Sequence, residues 1–308
     1  LGVLAGLLGR GDVVLVDALA HASLHDGCRL SRADVWRFRH NDLAHLEHHL
    51  RTVYGRPTLV VVDGVYSMDG DLADLPGICR LAKAYGARIL VDDAHGFGVL
   101  GPNGRGTCEH FGLLDEVDLI SITFSKALGT IGGAVLGDRD VIGYLKHRSR
   151  PYVFSAALPP GTVAATHAAL KRTMGAPALR RQLFRNVDFL RRELTGLGYR
   201  LGPSASQIIP VLIGDDDLAL RAGTQLLDEG VFVATVVSPG VPPGQARLRV
   251  SPMASHTRAD LQSAISAFAR VGARLGLISS AGSQGLEGRV PQASASTISK
   301  EVPCLDMI

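Results

Sequence analysis

Cysteine is scarce in this chain. Four are spread over 308 residues (Cys28, Cys79, Cys108 and Cys304), far apart and without the close pairing of a metal knuckle. That spacing argues against a disulfide framework and for a reducing, cytoplasmic setting. No apolar run approaches the ~20 residues needed to cross a bilayer, so no transmembrane segment is expected. Excess charge is also missing. A net charge of +3 with interspersed signs leaves no footprint for nucleic acid. The histidines between His40 and His49 are mostly neutral at pH 7 and add little to it. With His25, they read as solvated loop and helix faces. What remains is 46% hydrophobic and 20% charged, as expected of one large globular unit or two associated domains.

The most informative stretch is Asp118 to Gly133, DLISITFSKALGTIGG. Leu119 to Phe124 has the β-branched and apolar character of a strand and stops at Ser125-Lys126. Gly129, Gly132 and Gly133 then allow backbone to crowd a ligand. Desolvation at such a place favours the neutral amine that a Schiff-base lysine needs. Alone, a lysine at a strand end is more often a solvated charge.

Its company lies upstream in ARILVDDAH, where a short apolar strand ends in Asp92, Asp93 and His95. Two acids at the end of a buried strand need a positive answer. A protonated pyridine nitrogen is one, and an aspartate serves this purpose in pyridoxal phosphate sites. Helix N-caps or a metal pair are the alternatives, and the cofactor reading is preferred because Lys126 follows behind another strand, as in successive βαβ units.

The rest of the chain fits alternating strands and helices. DVVLVD (12–17) and TLVVV (58–62) are core strands, and the histidine of AHASLHDG, His21, falls in a loop. Residues 41–51 and 74–85 have helical spacing, the second with Asp74 as N-cap and Pro76 in its first turn. Asp69 and Asp71 read as turn residues of MDGD. Residues 132–137 form a further strand and 140–149 a basic helix. Long amphipathic helices follow at 162–174 and 179–194. Short strands at 207–213, 231–236 and 247–250, with helices at 218–229 and 258–275, make a small α+β unit. Gly96 to Gly101 matches G-x-G-x-x-G after a strand. A dinucleotide reading needs a helix opening on the last glycine, and PNGRG starts a helix poorly, so it stays a minor alternative.

These motifs together, DALAHAS, RFRHND, DGVYSMDGD, VDDAHGFGVLGPNGRG, TFSKALGTIGG, RPYVFSAALPP and ARLRVSPMASHT, resemble the α-oxoamine synthase family of pyridoxal-phosphate enzymes, in order from residue 1 to about 276. WRFRHND and RPYVFSAALPP look most like serine palmitoyltransferase, whereas VPPGQARLR looks closer to the glycine-using ligases. The resemblance implies a fold-type I α/β large domain with a mostly parallel sheet over 1–158. Linking helices and a small α+β domain would cover 159–276, and a disordered Ser/Gly/Pro-rich tail 277–308. It also implies that Leu1 to Leu8, helical in pattern and uncapped, is the middle of a helix in an N-terminally truncated chain.

By the same resemblance, Lys126, Asp92 and His95 are catalytic. His21, stacking on the pyridine ring, Ser67, Asp92, His95, Thr123, Lys126 and Ser155 would bind pyridoxal 5'-phosphate. Ser155 would reach the phosphate of a partner subunit, making a homodimer with shared sites. Arg249, on one strand face with Arg247, would hold the substrate carboxylate; a solvated edge arginine is the other reading of it. No metal is expected. The implied reaction is a decarboxylating condensation of serine, glycine or alanine with an acyl-CoA, serine palmitoyltransferase-like first. Val237-Ser238 stand where palmitoyltransferase-like members carry an arginine. An aminotransferase or aldolase of the same fold, or a non-catalytic truncated subunit, are the alternatives.

Overall fold

The computed structural model describes residues 1–278. A first sheet carries six strands, β1 (Val13–Asp17), β2 (Asp34–Phe38), β3 (Thr58–Asp63), β4 (Arg88–Asp92), β5 (Leu119–Thr123) and β6 (Gly133–Gly137), in the order β2-β1-β3-β4-β5-β6. All pairs are parallel except β5 with β6. Both faces are covered, which is why the central strands read as unbroken apolar runs rather than alternations. Every residue of VVLVD in β1 and TLVVVD in β3 is buried. Helices α3 (Leu43–Thr52) and α4 (Leu75–Tyr85) supply Leu46, Leu50, Ile78 and Leu81 to one core. Helices α1 (Gly2–Leu7) and α2 (Ala22–Ser31) supply Leu4, Leu24 and Cys28 to the other face.

A short turn of helix, α5 (Thr107–His110), precedes β5. After β6 come α6 (Arg139–Arg148), α7 (Arg150–Val153), α8 (Pro160–Met174) and α9 (Pro177–Gly196). A second, antiparallel sheet follows in the order β7-β9-β8, with β7 (Ile209–Gly214), α10 (Asp216–Asp228), β8 (Ala234–Val236), β9 (Ala246–Val250) and α11 (Arg258–Arg274). Its core joins Leu190 and Leu194 of α9 to Val211, Leu248, Ile265 and Phe268.

The expected α/β architecture is therefore present, with local departures. The segment after Ala20 is not a loop: His21 is the N-cap of α2, its Nδ1 accepting the Ser23 backbone N–H. The edge strand β2 is an addition, its DVWRF mostly solvated and carrying no alternating pattern. Asp74 caps α4 as expected, accepting from Gly77 N at 3.0 Å. Residues 94–101 form consecutive turns instead of opening a helix, which removes the dinucleotide reading. Leu277 and Ile278, expected to begin a disordered tail, pack on the second core, with Ile278 only 8% exposed. Residues 279–308 of that expectation lie outside the described residues.

Candidate active site

Three parallel strands of the first sheet end in the same way: DVVLVD, TLVVVD and RILVD each run apolar into an aspartate, Asp17, Asp63 and Asp92. Parallel pairing brings these ends to one sheet edge, where α/β proteins bind ligands. Asp63 is the register partner of Asp92. A cavity of about 1060 Å³ opens there, lined by His21, Asp63, Ser67, Asp92, His95, Thr123 and Lys126. Of the eight expected site positions six share this cavity, with Asp63 added to them, while Ser155, which is exposed, and Arg249 are not part of its lining in the single chain.

The two acids of VDDAH separate in role. Asp93 is fully buried and turned inward, where its carboxylate accepts Thr107 N at 2.7 Å and Thr107 Oγ1 at 2.5 Å. Burial pushes it up to about 6, against the pull of those two bonds. A Cβ on Gly96 would lie 2.1 Å from its Oδ1, so glycine there serves packing rather than phosphate binding. Asp92 faces the cavity instead, with no Lys or Arg ion pair among the described residues.

Lys126 follows β5 in a turn closed by Gly129 N on its carbonyl at 3.0 Å. Burial pulls its ammonium below the ordinary lysine range; Asp92 and Asp63 oppose that, and Arg249 adds to it. The amine is therefore easier to deprotonate than a surface lysine. His95 is pushed down to about 3 by burial and by the charges of Lys126 and Arg249, so its imidazole is neutral at pH 7. Its backbone carbonyl accepts Gln207 Nε2 at 2.9 Å, tying it to the second unit. Thr123 Oγ1 lies 2.8 Å from Ser125 Oγ at the mouth of the same turn.

The two arginines of β9 also divide. Arg247 is buried and paired with Asp69. Asp69 is thereby an inter-sheet ion-pair partner as well as a turn residue. Arg249 Nη1 donates to the Ser67 carbonyl at 3.3 Å, and its Nε is buried with no partner. A guanidinium with a spare N–H suits an anionic partner, and Arg249 lies behind Ser67 of the cavity wall rather than in the lining itself. Asp71, read as a turn residue, and His40, read as solvated, are likewise corrected. His40 sits between Asp17 (3.1 Å) and Asp71 (2.7 Å) and is pushed up to about 10, the hydrogen bonds to both acids overcoming the opposing effect of burial.

The residues present fit pyridoxal phosphate on these observations. The cavity is large enough for a cofactor with substrate, Asp92 faces it without a Lys or Arg ion pair among the described residues, a desolvated amine lines it, and the Arg249 guanidinium bonds the carbonyl of Ser67 in its wall.

Known proteins share this chain's sequence and fold. An 8-amino-7-oxononanoate synthase of Thermoanaerobacter pseudethanolicus is 45% identical, the alignment covering 90% of this chain and 71% of the relative. A serine palmitoyltransferase of Sphingobacterium spiritivorum is 42% identical over 88% of this chain and 68% of its own. The solved serine palmitoyltransferase of Sphingomonas wittichii superposes with a TM-score of 0.88 at 38% identity, covering 90% and 70%. The family described as aminotransferase class I and II matches residues 1–268, and the chain belongs to that family, within its α-oxoamine synthases, a group of pyridoxal-phosphate enzymes.

Proposed function

We propose that this chain condenses an amino acid with an acyl-CoA thioester, with loss of carbon dioxide, to give an α-amino ketone and free CoA. The observation that carries the reading is the convergence of Lys126, Asp92 and His95 on one cavity, with Asp92 in no Lys or Arg ion pair among the described residues. Bound there, pyridoxal phosphate supplies an electron-accepting ring that stabilises the carbanion formed at the amino acid's α-carbon. Asp92 would hold the ring nitrogen in its protonated form and His21 would hold the ring. Ser67 and Thr123 would hold the phenolic and phosphate oxygens. Arg249 grips the substrate carboxylate through paired N–H donors. Lys126 Nζ, made less basic by burial, accepts the α-proton. Neutral His95 donates a hydrogen bond to the thioester carbonyl and so polarises it for attack.

Ser155 acts across a dimer interface in this reading. Its neighbours Tyr152, Phe154 and Leu158 are exposed in the single chain, which supports burial against a second copy. A cytoplasmic setting is in keeping with the buried free thiols of Cys28, Cys79 and Cys108. No described helix is long and apolar enough to cross a membrane.

The serine palmitoyltransferase-like reaction is the first reading, supported by WRFRHND, RPYVFSAALPP and the superposition. The 45% identity to an 8-amino-7-oxononanoate synthase, together with Val237-Ser238 in place of an arginine, favours a second one. Serine, glycine and alanine assayed against short and long acyl-CoAs separate the two. The general reading is tested by the visible spectrum with added pyridoxal phosphate. It should show an absorption band above 400 nm that Lys126→Ala abolishes; an unaltered spectrum in the variant removes Lys126 from its role. Carbon dioxide should be released from labelled amino acid only when acyl-CoA is present.

A further inference from the structure

Asp63 has no part in the roles assigned above, yet it borders the cavity and is 5% exposed. It stands at the end of β3 beside Asp92, its register partner on β4. Adjacent parallel strands are ~4.8 Å apart, so the buried carboxyl of Asp63 and the half-buried one of Asp92 face the same space. The charged and titratable groups around Asp63 are Asp92, Asp17 at the end of β1, Lys126 after β5, Tyr66 after β3 and His21 at the head of α2. Lys126 is the one cation among them that is not an imidazole, and it is itself desolvated. A buried carboxyl beside a second acid is favoured in its protonated form, and Asp63, the more buried of the two, keeps its proton.

A single directional bond singles out what Asp63 does. Its Oδ1 accepts the backbone N–H of His21 at 3.3 Å, across 42 residues of chain. His21 in turn has its Nδ1 fixed by Ser23 Oγ at 2.8 Å and Ser23 N at 3.3 Å. The imidazole is thus held at both ends, by Ser23 through the ring and by Asp63 through the backbone. The carbonyl oxygen of a protonated carboxyl accepts an N–H as well as a carboxylate oxygen does in geometry, without adding a second charge.

We infer that Asp63 is a positioning residue of the cofactor site: a neutral carboxylic acid that anchors His21 against the ring and leaves Asp92 as the one carboxylate charge at the ring nitrogen. The inference rests on the reading of the cavity as a pyridoxal phosphate site. Burial and Asp92 both push Asp63 upward, to about 8, in keeping with it. An acid whose folded pKa is raised destabilises the fold progressively as pH climbs from the unfolded value toward the folded one.

The test uses the full chain without cofactor, comparing wild type with Asp63→Asn and Asp63→Leu. Thermal midpoints are followed from pH 5 to 8.5. Affinity for pyridoxine 5'-phosphate, which has the ring and phosphate but no aldehyde, is read by fluorescence at pH 7. Asp63→Asn keeps the acceptor oxygen and removes the proton equilibrium. It should match or exceed the wild-type midpoint, with a gap that widens as pH rises, and hold ring affinity within about threefold. Asp63→Leu, lacking the acceptor, should lose affinity by about tenfold, and His21→Ala should add little to that loss. A lower midpoint for Asp63→Asn at pH 8 than at pH 5, relative to wild type, overturns the neutral-acid assignment. Wild-type affinity in Asp63→Leu overturns the anchoring role, and if that variant does not fold, a His21→Ala affinity equal to wild type does the same. Failure of the wild type itself to bind the ring phosphate would instead overturn the cofactor reading.

Discussion

Two groups of carboxylates sit on the same edge of the same sheet, and the protein treats them oppositely. Asp17 and Asp71 are bridged by His40, whose two ring nitrogens reach both acids within 3.1 Å. That cluster supplies its own cation and is closed. Asp63 and Asp92, one and two strands away, form no ion pair among the described residues; Lys126 acts on both, and burial weakens the proton affinity of that amine. That cluster is left open to a ligand. A buried acid with an internal answer is structural, and one without it marks where an external charge belongs.

The sharpest way to break this contrast is Lys126→Ala. It should lower condensation activity by about 10³-fold or more, as expected when a covalent attachment point and proton acceptor are lost together, while the thermal midpoint of the cofactor-free chain stays near wild type. Asp92→Asn should cost about 10²–10³-fold in kcat and leave the cofactor-free protein as stable as before or more so, because the like charge facing Asp63 has gone. A large fall in its midpoint would mean that Asp92 belongs with the closed cluster.

His40→Ala should do the reverse. With Asp17 fully buried and unanswered, stability should fall by about 2–3 kcal/mol, read by denaturant unfolding, with kcat of the folded fraction altered much less. The pH dependence sharpens the same point. His40 is pushed up to about 10 from its ordinary 6.5. Its stabilising contribution is therefore fully present below pH 6.5 and lost as pH rises through 10. Wild type should weaken across that window, and His40→Ala should not show that part of the slope. A smaller effect is expected for Arg249→Ala, which should raise KM for the amino acid about 10–100-fold with a lesser change in kcat. Smallest is Thr107→Val, which removes one hydroxyl donor from buried Asp93 and should cost about 1–2 kcal/mol of stability without changing KM.

Much of this was legible in the chain. The apolar runs that end at Asp17, Asp63 and Asp92 declare buried parallel strands, since only a sheet covered on both faces supports such runs. The lysine and glycines from Lys126 to Gly133 declare a crowded turn. Repetition of aspartate at the ends of three strands was also there to be read, and it pointed to Asp63. The edge strand β2 was not legible, because a solvated edge carries no hydrophobic period.

By itself the sequence determined which residues could be strands, which could be helices, and which carried ionisable groups, because propensity and burial pattern are local. Only the tertiary structure decided which acids are answered. Asp92 and Asp93 are neighbours in the chain with identical side chains, but one turns to Thr107 and the other to the cavity. Asp71 meets His40 across 31 residues, and Asp69 meets Arg247 across 178. Charge pairing depends on distance through space and on exclusion of water, and neither is a property of position along a chain.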